Sequence, residues 1–340
     1  MKKQTSRRKF IQQTTLAGLS FSIPFQMSAS GMSLTANNKR IGIIGLDTSH
    51  STNFMKSING AEKPVPTDGY TITAAFPYGS RDITSSYERI PAYIEEAKKY
   101  NVEIVDSINA LLQKADFILL ETNDGKPRVE QAMQVIRAGK PMFIDKPIAA
   151  NFKDVVTIYK AAEKYKVPLF SSSTLRYTKQ IAQLASGEKI GRITGADTYS
   201  PAPPQDKHTD LFWYGIHGVE PLYTLLGTGC TTVTRAYTTG TDLVTGIWAD
   251  GRIGSFRGIR TGADDYGGTA FGEKGIAPVG TFQGYEGLLE KVIQFFNTGI
   301  PPVPVKETLE IYAFMQAADL SKQRGGIPVK MKEVLEITGK

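Results

Sequence analysis

From residue 40 to about 150, short apolar runs alternate with amphipathic stretches, and the hydrophobic period switches between strand-like and helix-like. Residues 41–44 form a compact apolar run that ends at Gly45, and a helix is predicted over 52–59. A Pro/Gly-bearing insertion, 60–69, leads to a second strand at 70–76. Residues 88–100 put Tyr93, Ala97 and Tyr100 on one helical stripe, and 102–105 read as a short strand. Asp106 is placed to cap a helix carrying Ile108, Leu111 and Leu112. The strongest strand is 117–120, followed by a helix over 128–138 and a strand at 141–144. Such alternation predicts a parallel sheet covered on both faces. Beyond Ile193 the pattern changes to period-two runs rich in Thr, Gly and aromatic residues, at 193–200, 231–238, 242–250, 253–260 and 268–273. These predict a largely antiparallel open sheet, with helices at 284–298 and 306–323 packing back on the body.

The first apolar run ends in a particular way. Gly45-Leu46-Asp47-Thr48-Ser49-His50 follows a buried strand and opens a helix, the layout of a dinucleotide-binding turn, where free N–H groups attract a pyrophosphate. Of the three glycines in G-x-G-x-x-G only the first is present; Asp47 and His50 hold the other two places. A carboxylate at the second place is unfavourable beside two phosphates by about a kcal/mol or more unless it is screened or turned away. The acid that usually closes the second strand and holds the ribose is also missing: the chain reads Phe76-Pro77-Tyr78-Gly79-Ser80-Arg81. Ser80 and Arg81 suit a 2′-phosphate, which favours NADP over NAD, or else form an ordinary turn that opens the next helix. Thr122 and Asn123, past the carboxyl end of the strongest strand, are placed to touch a nucleotide. The N-terminal half is thus predicted to be a Rossmann-type doubly wound domain over 40–150, and the rest, 151–330, a separate α+β unit.

Composition narrows the function. At 340 residues, 41% hydrophobic and 21% charged, the chain is globular, and its net charge of +7 is unevenly placed. Residues 1–30 carry Lys2, Lys3, Arg7, Arg8 and Lys9 and no acid, leaving 35 basic against 33 acidic residues elsewhere. That near-balance gives no basic surface for nucleic acid. The run Ser6-Arg7-Arg8-Lys9-Phe10-Ile11, with a mild apolar stretch to Phe25 and small residues near Ser30, resembles a twin-arginine export signal. It implies transit through the twin-arginine translocase to the periplasm. Gln12, Gln13 and Pro24 interrupt the apolar stretch, so no stable membrane anchor is expected. The single cysteine, Cys230, excludes an internal disulfide.

Four motifs in order extend this reading. They are the Gly45 turn, Asp145-Lys146-Pro147-Ile148-Ala149, the run Ser186-Gly187-Glu188-Lys189-Ile190-Gly191-Arg192-Ile193, and Trp213-Tyr214-Gly215-Ile216-His217-Gly218-Val219-Glu220. With the closing stretch from Leu309 to Val329, the chain resembles the glucose–fructose oxidoreductase/inositol dehydrogenase (Gfo/Idh/MocA) superfamily. The family's Glu-Lys-Pro is here Asp-Lys-Pro. Its D-x-G-x-H-x-x-D keeps Gly215 and His217, with Trp213 in the first acidic place and Glu220 in the last. The resemblance implies NAD or NADP as cofactor, held by the 45–50 turn with Ser80, Arg81, Thr122, Asn123 and Asp145. It implies a carbohydrate or polyol substrate and a homo-oligomer formed through the second sheet. Lys146 would stabilise an alkoxide, and His217, helped by Tyr214, would take a hydroxyl proton. Arg176, Asp210 and Glu220 would face substrate, with Asp210 one turn earlier in place of the carboxylate missing at Trp213. His208, Asp210 and His217 lack the tight spacing of a metal set, and no metal is expected. Two functions remain open: an exported NAD(P)-dependent oxidoreductase acting on a secondary alcohol of a sugar, glycoside or polyol, or a redox-inactive relative that keeps the cleft for binding or for elimination-type acid/base chemistry.

Overall fold

A computed structural model describes residues 39–337 except Arg81 and Lys207. The stretch 1–30, which was expected to be an export signal, and Arg81 therefore lie outside the described residues. The first half contains β1 (Arg40–Ile44), α1 (Ser49–Asn59), β2 (Thr71–Phe76), α2 (Thr84–Tyr87), α3 (Ile90–Lys99), β3 (Glu103–Ile104), α4 (Ile108–Lys114), β4 (Phe117–Leu120), α5 (Arg128–Arg137), β5 (Met142–Ile144), α6 (Phe152–Tyr165) and β6 (Leu169–Phe170). All six strands are parallel, in the order β3-β2-β1-β4-β5-β6. The chain therefore reverses its direction of travel between β1 and β4, and a ligand crevice opens beyond the carboxyl ends of such strands. Every residue of β4 is buried, as a strand covered on both faces requires.

The second half contains α7 (Lys179–Ala185), β7 (Ile193–Pro201), α8 (Ile216–Leu226), β8 (Cys230–Tyr237), β9 (Thr241–Trp248), β10 (Ile253–Ile259), β11 (Gly267–Gly272), β12 (Gly275–Pro278), α9 (Glu286–Thr298), α10 (Val305–Gln323), β13 (Val329–Lys330) and α11 (Met331–Ile337). Its sheet runs β12-β11-β7-β10-β9-β8-β13, and only the β7–β10 pair is parallel. The predicted class, a doubly wound parallel sheet followed by an open, largely antiparallel one, is the observed class.

Three details differ from expectation. The parallel sheet does not end near residue 150: β6 pairs with β5 at Met142↔Leu169, so α6 and β6 belong to the first unit. Helix α1 begins three residues before the predicted start because Thr48 accepts a hydrogen bond from the His50 amide at 3.2 Å. Asp106 is not the cap of α4; the neighbouring Ser107 is, accepting from Ala110 N.

Two C-terminal helices hold the first sheet in place. Helix α9 returns across the α1 face of the sheet, where the Phe296 ring lies 4.8 Å from Phe117 and 5.8 Å from Tyr70. Burying an aromatic side chain of this kind stabilises by roughly 1.5–3 kcal/mol. Helix α10 is buried on most sides, and its Tyr312 hydroxyl accepts from Ile148 N at 2.7 Å. That bond ties the loop carrying Lys146 to the far end of the chain. No helix among the described residues is long and apolar enough to cross a membrane.

Candidate active site

The crevice is built first from the turn after β1. Gly45 has φ +96°, and a Cβ there would stand 2.5 Å from Thr122 N, so only glycine lets the two loops meet. Gly45 N donates to Phe76 O at 2.8 Å and Leu46 N to Pro77 O at 2.9 Å, pinning the turn to the end of β2. Thr48 caps α1, Ser49 is exposed, and the Ser49 hydroxyl lies 3.5 Å from Tyr285 Oη.

Asp47 is fully buried and turned away from the helix terminus. Its Oδ1 accepts from Asn123 N at 2.9 Å and its Oδ2 from Ser80 N at 3.4 Å. The carboxylate thus bridges the loops after β2 and β4. A side chain at Gly79 would run into it, so the three loops are in close contact. Burial pushes the Asp47 carboxyl up to about 6, against the opposing pull of the two amides. Asn123 also donates through Nδ2 to Ser86 Oγ at 2.9 Å, which closes the same seam.

Ser80 corrects an expectation. Its hydroxyl accepts from Asp82 N and Ile83 N at 3.1 and 3.2 Å, and the residue is 3% exposed. Its hydroxyl organises the turn before α2 instead of facing a 2′-phosphate, so Ser80 does not support NADP; Arg81, the other half of that expectation, lies outside the described residues. A hollow of about 780 Å³ beside this turn is lined by Tyr78, Ser80, Tyr87, Ile90, Pro91 and Ile94. It contains neither Lys146 nor His217. Side-chain convergence, rather than cavity size, marks the candidate site.

That convergence lies past β5. Lys146 is 8% exposed, with Nζ 5.5 Å from the centre of the Tyr214 ring. Tyr214 in turn lies 5.2 Å from the His217 ring, which meets Tyr266 at 5.5 Å on its other side. His217 stands in the first turn of α8, with Nδ1 3.0 Å from Ser173 Oγ. Burial, with the positive charge of Lys146 nearby, holds His217 well below the ordinary histidine range. It is therefore neutral at neutral pH, as a proton acceptor must be.

The partner of His217 is Ser173, and the group behind Ser173 is Glu220. Glu220 accepts from Ser173 N at 2.7 Å, from the Ser172 hydroxyl, and from Arg176 Nε at 2.8 Å. Arg176 is also bound to Glu307 at 2.7 Å. Arg176 and Glu220 were expected to face substrate. They form instead a buried brace behind His217, because each satisfies the other's charge away from water.

Asp210 was expected to orient His217. It belongs to a separate ion network, bound to Arg235 and Lys322 at 2.7 Å each and also to Arg260. Asp242 and Asp319 complete that network around the fully buried Arg235. His208 accepts from Gly125 N at 2.9 Å and packs 4.7 Å from the Trp213 ring. Burial lowers it to about 4. The sequence-adjacent trio His208, Asp210 and His217 is thus spread over three different sets of partners.

Two features were missed from sequence. Arg128, fully buried at the start of α5, donates to the carbonyls of Thr122, Asp145 and Pro147 and so holds the β4 and β5 loop ends together. Glu121, the residue after β4, is fully buried beside Asp145 and His50. Burial and then the Asp145 charge push Glu121 well above the ordinary carboxyl range. Burial opposes the ionisation of Asp145 as well, but His50 and Lys146 outweigh it and hold Asp145 below that range.

The nucleotide that such folds carry fits part of this crevice. The tight Gly45 turn and the capped start of α1 fit a pyrophosphate, since Asp47 points elsewhere. The Asp47 bridge joins the loops after β2 and β4, the strand ends over which an extended dinucleotide lies in such folds.

Residues 39–173 match the family model GFO_IDH_MocA, described as an oxidoreductase family with an NAD-binding Rossmann fold. No curated protein is similar enough in sequence to match. Among solved structures, GenD2 from gentamicin A biosynthesis in complex with NAD has a TM-score of 0.70 at 15% identity, covering 86% of this chain and 96% of that one. A probable dehydrogenase from Thermotoga maritima has a TM-score of 0.70 at 19% identity, covering 87% and 99%. The scyllo-inositol dehydrogenase from Lactobacillus casei, solved with NAD(H) and scyllo-inositol, has a TM-score of 0.68 at 14% identity, covering 87% and 99%. At these identities the likeness is one of fold.

Proposed function

We propose that the protein is an NAD-dependent oxidoreductase of the Gfo/Idh/MocA kind, acting on a secondary alcohol, or the matching ketone, of a sugar, glycoside or polyol. The observation that carries this reading is the meeting of Lys146 from the first unit with Tyr214 and His217 from the second. The match over 39–173 supports the cofactor class, and the cyclic polyol in the Lactobacillus casei structure supports the substrate class.

When bound, NAD supplies the hydride acceptor or donor. The chain's own residues manage proton and charge. With Nδ1–H donating to Ser173 Oγ, Nε2 of the neutral His217 accepts the proton of the substrate hydroxyl. The Lys146 ammonium stabilises negative charge on the same oxygen in a site largely closed to water. The Glu220–Arg176 brace fixes Ser173 and thereby the imidazole. The signal-like residues 1–30 support work in the periplasm. The open face of the second sheet, with Tyr199, Ile247 and Ile253 exposed, supports a homo-oligomer.

The test is the ligand itself. Folded protein is denatured and the released material read by absorbance and mass, then calorimetry is run with NAD and NADP. Carried or bound NAD supports the reading. Protein that carries no nucleotide and binds neither sinks it. The Asp47 bridge favours a second reading in that case: acid/base chemistry on a carbohydrate derivative by Lys146 and His217 without nicotinamide.

A further inference from the structure

One cluster remains outside this account. His50, Glu121 and Asp145 come from the first turn of α1, the end of β4 and the end of β5, and their ligand atoms lie within 4.8 Å of one another. All three residues are at most 8% exposed. Both Glu121 oxygens, Asp145 Oδ1 and His50 Nδ1 have no hydrogen-bond partner. Nδ1 and Oδ1 stand 3.1 Å apart as an ion pair, so the two Glu121 oxygens are the atoms left with no partner of any kind.

Buried polar atoms are nearly always paired, and leaving one unpaired costs roughly 1–3 kcal/mol. The two unpaired Glu121 oxygens, set beside the His50–Asp145 pair, therefore call for a partner the three residues can share. Two ligand atoms on one first-row metal ion, bonded at about 2.0–2.2 Å, stand about 3 Å apart when the angle between them is near a right angle. The His50–Asp145 spacing has that value. One imidazole with two carboxylates suits Mn²⁺, Fe²⁺ or Zn²⁺ better than Mg²⁺ or Ca²⁺, which favour all-oxygen shells.

We propose that His50, Glu121 and Asp145 form a binding site for one divalent first-row transition-metal ion. Two carboxylates neutralise its charge, and three protein ligands leave positions open to oxygen ligands beside Lys146. The Asp145 backbone is already held through its carbonyl by Arg128, so one ligand is fixed before the ion arrives. The site departs from the expectation that no metal is used, and it does not depend on whether NAD binds.

The test uses the purified protein, stripped with chelator and titrated with Co²⁺, Mn²⁺ and Zn²⁺. Bound metal is measured after desalting, and the Co²⁺ form is read by visible absorption. The expected result is one equivalent of Mn²⁺ or Zn²⁺, d–d bands for the Co²⁺ form, and at least tenfold weaker binding in Glu121→Gln and in His50→Gln. Circular dichroism checks that each variant is folded. Less than a tenth of an equivalent of every ion on the unaltered protein overturns the proposal, and so does binding that both folded variants retain.

Discussion

Replacing Asp47 by Asn tests the bridge that closes the nucleotide turn. The carboxyl has its ordinary value of 3.8 when unfolded and about 6 when folded, since burial disfavours its charge. A folded value raised above the unfolded one means that the folded state holds the proton more tightly. The associated stability is complete below pH 3.8 and is lost as pH rises through about 6. A shift of about two units corresponds to about 3 kcal/mol. Asn has no proton to lose and keeps the acceptor for Asn123 N. The stability of Asp47→Asn minus that of the unaltered protein should therefore rise by about 2.4 kcal/mol between pH 4 and pH 7. Urea unfolding at half-unit pH steps, followed by circular dichroism, measures the difference directly, and taking differences limits errors from two-unit unfolding. A flat or falling difference would refute the reasoning. It would mean that the amides of Asn123 and Ser80 hold the carboxylate ionised and that burial does not dominate.

Three further outcomes follow from the same geometry. Asp47→Gly removes the bridge and restores the second glycine, so NAD affinity by calorimetry should tighten at least tenfold, about 1.4 kcal/mol; unchanged affinity would place the obstacle elsewhere. Ser173→Ala takes away the only hydrogen-bond partner recorded for His217 Nδ1 among the described residues. It should lower kcat about 10–100-fold with little change in KM, and a KM effect alone would deny the orienting role. Glu220→Ala leaves Arg176 with Glu307 as its remaining carboxylate and Ser173 N without an acceptor, and should cost about 1–3 kcal/mol in urea unfolding, whereas no measurable cost would show the brace to be solvated.

Much of the fold was legible because it rests on local pattern. The apolar run of β4 and the period-two runs of β7 to β10 each bury one or both faces of a strand, and that burial is written into consecutive residues. Strand β6 was not legible: two residues carry no period, and only pairing with β5 makes them a strand. The candidate site was legible where motifs singled out Lys146 and His217, which the fold brings together around Tyr214. It was not legible where partners lie far apart in the chain. Ser173 and Glu220 are 47 positions apart, and Asp210 finds Lys322 across 112. An acid that matches a motif position says nothing about which cation the fold brings to it. Three cations claimed Asp210 before His217 could.

Asp47 and His50 look at first like two unrelated losses from a glycine motif. In three dimensions they do related work in opposite directions. Asp47 reaches sideways to the β2 and β4 loops through backbone amides, while His50, three residues on, reaches the ends of β4 and β5 through carboxylates. Between them, one turn of chain binds together the three strand ends that an extended dinucleotide would otherwise span. The two substitutions therefore make separable demands. If NAD enters, the Asp47 bridge must open, and its carboxylate must find other partners or keep a proton near neutral pH. If a metal ion enters, it sits among His50, Glu121 and Asp145, whose ligand atoms are already together, and the bridge can stay shut. Metal binding that persists in Asp47→Asn, together with NAD binding that appears only in Asp47→Gly, would identify the turn as a metal-binding element built on a nucleotide-binding frame. NAD bound by the unaltered protein, with no metal retained, would identify it as a nucleotide site with a proton-controlled latch.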